Sequence, residues 1–183
     1  MHDSCKNKKN DGDGMSRRRG IEPVYFAPFV SSTMTVEPAW IDYNGHLNMA
    51  YYNVLIDRAV DEAFALVGLG HDYVRERGAS FFTAEAHVRY VRELRANDPV
   101  RVTIRLVDYD EKRLHYFCEL HHAGEGWLSA TSEQLGLHVD TKARRVTPFP
   151  DDVLIRLAQM KAAHGSLPLP EAVGRKIAMP AKS

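Results

Sequence analysis

Five consecutive residues, Asp42-Tyr43-Asn44-Gly45-His46, put a carboxylate, an amide, a glycine and an imidazole into one short polar cluster, and Asn48 follows two residues later. A carboxylate so placed has two routes into acyl chemistry: it can attack a carbonyl carbon itself, or take a proton from the water that does. Gly45 leaves the backbone open to close approach by a substrate. His46 has two readings, as a packing residue that hydrogen-bonds the turn or as a group that positions the carboxylate. On spacing alone, Asp42 is an ordinary turn aspartate that accepts local N–H groups. The motif around it reverses that reading, and the element that follows it supports a chemical role.

That element is a helix. Asn48 is a good N-cap, and the helix runs from about Met49 to Val67, with Gly68 and Gly70 as stop signals. Tyr52, Ile56, Ala59, Ala63, Phe64 and Val67 recur at three- and four-residue spacing, while Asn53, Asp57 and Asp61 line another face. The carboxylate of Asp42 therefore stands where a first short strand, Thr33 to Ile41, gives way to the positive end of a helix dipole. Unpaired backbone N–H groups gather at such an end and can hold the oxyanion of a tetrahedral intermediate.

The remaining pattern is of strands. Phe82, Ala84, Ala86, Val88 and Tyr90 alternate with Thr83, Glu85, His87 and Arg89, so Glu85 is expected on a polar face with Thr83 and His87. Val100 to Leu106 and Leu114 to Leu120 form a hairpin around the polar turn Asp108 to Lys112, and Trp127 to Val139 continues the meander. Pro148 and Pro150 end the sheet, and Asp151 or Asp152 caps a short helix through Met160. One long helix with a run of antiparallel strands is an α+β arrangement, the helix lying across one face of the sheet. Residues 1–20 read as a disordered leader, upstream of a second candidate start at Met15; residues 21–165 read as one domain and 166–183 as a C-terminal tail.

Twenty-four basic residues balance twenty-four acidic ones among 183, so no overall field draws the chain to nucleic acid or to an anionic membrane. The balance is uneven: residues 1–20 carry six basic and three acidic side chains, leaving the body mildly acidic. No run of about 18 apolar residues is present, and the leader lacks the apolar stretch of a secretory signal. Cys5 and Cys118 have no partner pattern for a disulfide or a zinc site, which suits a reducing cytoplasm. His121 and His122 are adjacent on a strand and point to opposite faces, so no metal is expected. Ser129, Thr131 and Ser132 offer no nucleophile-elbow motif.

The stretch from Val36 to Tyr52, with Asp42-x-x-Gly45-His46-x-Asn48 and the tyrosines after it, resembles the signature of hot-dog thioesterases related to 4-hydroxybenzoyl-CoA thioesterase. The resemblance continues through Tyr90 to Pro99 and through Leu137-His138-Val139-Asp140, covering residues 33–155. Asn97 departs from it, standing where a glycine is expected before Asp98. The resemblance implies a hot-dog fold, a long central helix wrapped by a mainly antiparallel sheet of about five strands. It implies acyl-CoA thioester hydrolysis with Asp42, Gly45 and His46 at the centre, and it sets Glu85 near them as a second acid or base, the alternative being a solvated strand face. A thiolate leaves readily, a Cys-like thiol having a pKa near ~8.5, so strong acid assistance is unnecessary. Arg92, Arg95 and Arg113 are the candidates for the CoA phosphates, and a homodimer or homotetramer with the site at the subunit interface is implied. Coenzyme A enters only as part of the substrate.

Four blocks resemble the betainyl-CoA thioesterases more narrowly: Trp40 to His46, Phe82 to His87, Lys112 to His115 and Leu137 to Asp140. Their acyl group carries a quaternary ammonium, which aromatic faces recognise. Trp40, Tyr43, Tyr51 and Tyr52 cluster in sequence around Asp42, with Asn48 and Met49 between them. Two other classes compete: a non-catalytic hot-dog module that binds acyl-CoA or an acyl carrier, and a dehydratase acting on a 3-hydroxyacyl thioester. The intact Asp42-x-x-Gly45 turn favours the hydrolase.

Overall fold

The computed structural model of the protein describes residues 24–179, so the expected leader, with Cys5 and Met15, lies outside the described residues. In chain order the elements are β1 (Phe29–Val30), β2 (Met34–Thr35), a 3₁₀ turn (Pro38–Trp40), α1 (Met49–Ala65), α2 (His71–Arg77), β3 (Ala79–Tyr90), β4 (Pro99–Tyr109), β5 (Arg113–His122), β6 (Leu128–Asp140), β7 (Arg145–Val146) and α3 (Asp151–His164).

The expected central helix is present, spanning ~25 Å at ~1.5 Å per residue. Asn48 caps it, its Oδ1 accepting the N–H of Ala50 at 3.0 Å. Tyr52, Leu55, Ile56, Ala59, Val60, Ala63 and Phe64 are buried against the sheet. Phe64 meets Phe81 and Tyr116 edge-on, each at 5.1 Å between ring centroids, and such pairs add ~0.5–1.5 kcal/mol each beyond area burial. From β4, Val100, Val102, Ile104 and Leu106 all face this core, as their alternation required.

The sheet has seven strands in the order β1-β4-β5-β6-β3, with β2 also on β4 and β7 on β6. The two beyond the expected five come from two-residue strands. The expected first strand is corrected: after Met34–Thr35 the ladder stops, because Pro38 has no N–H to give and opens a 3₁₀ turn through Trp40. The strands are also not one meander. β4, β5 and β6 are consecutive neighbours, but β3 pairs antiparallel with β6, at the far end from its chain successor β4. The chain from Tyr90 to Pro99 must therefore cross from one side of the sheet to the other. It is pinned on the way: Val91 and Arg92 N–H reach Ser129 O, Leu94 O accepts Leu47 N–H at 2.8 Å, and Asp98 O accepts Val36 N–H at 3.0 Å.

Helix α2 was not expected. It has seven residues, buries only Tyr73 and has no side-chain cap on Gly70, so no apolar period announces it. Its boundary signals were present, with Asp72 in the first turn, Arg75 and Arg77 in the last, and Gly78 left-handed at φ +61°. Helix α3 runs four residues past the expected Met160, to His164, whose Nδ1 accepts the Leu106 N–H at 2.9 Å. Beyond it, the Arg105 guanidinium donates to the carbonyls of His164, Leu167 and Pro168, and Gly174 N–H donates to Glu133 at 2.8 Å. Tyr116 and Gln134, next along the strands, face α1, so Arg105 and Glu133 face away from it. The C-terminal segment therefore lies across the outer face of the sheet.

Candidate active site

The polar cluster folds as a closed turn at the entrance to α1. Asp42 N–H donates to His46 O and Gly45 N–H to Asp42 O, both at 3.0 Å, while Asn48 N–H reaches back to Trp40 O. Gly45 has φ +83°, a left-handed backbone that only glycine adopts cheaply. Asn97, the departure noted above, also sits left-handed at φ +70°, and asparagine is among the side chains best suited to that region. The crossing segment thus keeps the turn geometry that a glycine would give.

Asp42 Oδ1 accepts the N–H of Asn44 at 2.8 Å, the bond of an Asx turn. His46 Nδ1 stands 3.8 Å from the same oxygen and 3.4 Å from Leu47 O. Asp42 Oδ2 has no hydrogen-bond partner among the described residues. The carboxylate is largely covered, with 16% of its side chain accessible. It lines a cleft of about 380 Å³ together with His46, Leu47, Met49, Tyr52, Tyr90, Val91, Arg92 and Glu93. Met49 is the first residue of α1, and its N–H, like that of His46, donates no hydrogen bond among the described residues. A carboxylate and the positive end of a helix thus share one cleft, an arrangement that supports nucleophile or base and oxyanion donor on the two sides of a carbonyl.

Of the residues expected in the site, Asp42, His46, Met49, Tyr52 and Arg92 come together here. Tyr52 is buried and meets Tyr90 edge-on at 5.0 Å; burial raises both phenols above their ordinary range. The Tyr90 hydroxyl donates to Met49 O at 3.3 Å, tying the end of β3 to the start of α1. Asn48 is occupied as the helix cap. Trp40 is buried, stacks on Tyr51 at 5.2 Å and carries the Arg58 guanidinium over its ring, so neither aromatic lines the cleft. Tyr43, 98% exposed, points away into solvent.

Glu85 is elsewhere. A register shift between Thr83 and Glu85 breaks the alternation that placed them on one face. Thr83 turns inward, to Tyr116 Oη at 3.3 Å and Gln134 Oε1 at 3.1 Å. Glu85 opens instead into a separate cleft with His87, His115 and Glu133 on the outer face. Arg113 is also remote: Tyr90 shares a row with Leu120, and Arg113 begins the same strand seven residues earlier, ~23 Å away. Its Nε donates to Asp110 at 2.6 Å, and that guanidinium holds the Asp110 carboxyl below its ordinary range. Arg95, exposed, lies 3.4 Å from Glu93. Cys118 is fully buried and burial pushes its thiol far up, leaving it unreactive.

Sequence reasoning passed over Leu47, Val91 and Glu93. Their signal was position alone, since the segment after a strand must cross the helix entrance only if β3 lies beside β6.

Residues 36–157 match the thioesterase-like superfamily. A betainyl-CoA thioesterase of Pseudomonas aeruginosa is 40% identical over 145 residues, which make up 79% of this chain and 91% of that protein. An L-carnitine dehydrogenase/betainyl-CoA thioesterase of Rhizobium meliloti is 37% identical over 142 residues, 78% of this chain but 28% of that longer protein. Among solved structures, a Staphylococcus aureus protein in complex with CoA superposes with a TM-score of 0.78 at 31% identity, covering 86% of this chain and 98% of that one.

Proposed function

The chain belongs to the thioesterase-like superfamily and has its hot-dog fold, and from that premise we propose that this thioester hydrolase cleaves betainyl-CoA to betaine and free coenzyme A, with Asp42 as the catalytic carboxylate. The observation that carries the mechanism is the meeting of Asp42 and Met49, the first residue of α1, in one cleft. The identity to the Pseudomonas aeruginosa enzyme, along nearly its whole length, supports the substrate.

A thioester carbonyl in the cleft lies between the carboxylate and the start of α1. In one route Asp42 takes a proton from water as the water oxygen bonds to the carbonyl carbon; in the other, Asp42 bonds to that carbon and water opens the resulting anhydride. Both pass through an oxyanion that the Met49 N–H receives. Both end with the C–S bond broken and a proton on the departing thiolate. Single turnover in ¹⁸O-labelled water tests the direct route: an anhydride opened at the Asp42 carboxyl carbon leaves an unlabelled Asp42 oxygen in the first product and puts label into Asp42, whereas activated water puts label into the product and none into Asp42. His46 keeps the carboxylate oriented. Arg92, with the exposed Arg95 beside it, is the candidate for the phosphates at the mouth of the cleft. No resident cofactor is required.

The pairing of a related thioesterase with an L-carnitine dehydrogenase in Rhizobium meliloti supports a place in carnitine breakdown. Such a role suits the cytoplasm, and among the described residues no helix is long and apolar enough to cross a membrane. An assembly in which β3 pairs with its counterpart on a second copy is supported by its 12 residues, whose second edge has no partner strand among the described residues. Release of free thiol from a panel of acyl-CoA esters tests the function; binding without turnover of any of them would transfer the protein to the non-catalytic class.

A further inference from the structure

We propose that Glu93 selects for a cationic acyl group, an inference that rests on the betainyl-CoA reading above. In that substrate the quaternary nitrogen is two bonds from the thioester carbonyl carbon, roughly 2.5 Å away. Any pose that brings the carbonyl to Asp42 therefore brings the cation into the same cleft. A quaternary ammonium has no N–H to donate, so it is held by aromatic faces and by the field of a nearby carboxylate.

The cleft offers both. Tyr52 and Tyr90 form its aromatic wall, and Asp42 and Glu93 are its two carboxylates. Asp42 is committed to the chemistry, and one of its oxygens is already held by Asn44. Glu93 is the acidic group that remains. Arg92, the one arginine among the residues that line the cleft, has its guanidinium over the Trp127 ring, 4.0 Å from the centroid. Glu93 touches Arg95 at 3.4 Å, but both side chains are half exposed or more, and such a pair is weak and readily exchanged.

Its position is fixed by the fold rather than by its own contacts. On one side Arg92 is clamped to Ser129, N–H to the carbonyl at 3.0 Å and carbonyl to the Ser129 hydroxyl at 2.7 Å. On the other, Leu94 is fully buried and its carbonyl accepts the N–H of Leu47, next to His46. The backbone between two such anchors has little freedom, which holds residue 93 on the wall of the cleft.

The test compares kcat/KM for betainyl-CoA with that for its uncharged isostere 3,3-dimethylbutyryl-CoA, in the wild-type protein and in Glu93→Gln. The wild type favours the cationic ester, and Glu93→Gln lowers the ratio about tenfold or more. Raising the salt from about 0.05 M to about 0.5 M shrinks the wild-type ratio, because screening weakens an exposed charge interaction, and moves the variant's ratio far less. Glu93→Asp, which keeps the charge on a shorter stem, recovers part of the preference. A ratio unchanged in Glu93→Gln, or equal losses on both esters, overturns the role of Glu93 while leaving the betainyl-CoA reading standing. A wild-type protein that prefers the neutral ester, or cleaves neither, overturns both.

Discussion

Replacing Asp42 by Asn separates its chemistry from its structural bond. The Asx turn needs an acceptor for the Asn44 N–H, now at 2.8 Å from Oδ1, and an amide oxygen supplies one. The turn's other bonds, Asp42 N–H to His46 O and Gly45 N–H to Asp42 O, are backbone and survive the change. The variant should therefore fold with a stability loss under about 1 kcal/mol, the size of one ordinary hydrogen bond. Catalysis should suffer far more, since an amide neither takes a proton from water nor forms an acyl anhydride. A positioned base contributes typically ~10²–10⁴-fold, so a loss of at least about 100-fold in kcat is expected, or ~2.7 kcal/mol of barrier. The assay follows thiol release with a thiol-reactive chromophore under saturating ester, beside thermal melts of both proteins. A folded Asp42→Asn variant turning over within about threefold of the wild type would refute the assignment and return Asp42 to the ordinary turn residue its spacing alone describes.

Three further outcomes follow. Gly45→Ala meets no atom within 4 Å of the new Cβ, so its cost is the left-handed backbone at φ +83°, about 1–2 kcal/mol, visible as a lower denaturation midpoint; a neutral change would show the turn to be relaxed. Burial holds the His138 and His164 imidazoles below their ordinary pKa, so the unfolded chain binds protons there that the folded one does not. Their contribution to stability is present above the unfolded pKa of ~6.5 and is lost as pH falls below it, and equal urea midpoints at about pH 7.5 and pH 5.5 would contradict this. Light scattering at micromolar concentration should give a dimer or a dimer of dimers, since among the described residues β3 leaves a full-length edge unpaired and Phe82 half exposed on it; a monomer would contradict this.

The central helix, its Asn48 cap, the β4–β6 meander and the turn from Asp42 to His46 were legible because each rests on local chemistry: a 3.6-residue period, a period of two, a capping side chain, a glycine that must go left-handed. The motif around Asp42 carried the family for the same reason, being contiguous in sequence. Where β3 sits was not legible, because pairing with β6 rather than β4 depends on how the sheet closes around α1, and no residue in β3 encodes its neighbour. From that one placement follow the crossing segment, the arrival of Val91 and Glu93 in one cleft with Asp42, and the remoteness of Arg113. The shift between Thr83 and Glu85 was equally hidden: alternation put both on one face, and only a mismatch of ladders between two strands far apart in sequence turns Thr83 to Tyr116 and Glu85 to the outer cleft. Sequence determined which groups can do chemistry, because reactivity belongs to side chains and their near neighbours. Tertiary structure decided which of them meet, because meeting is set by contacts between segments that no local period records.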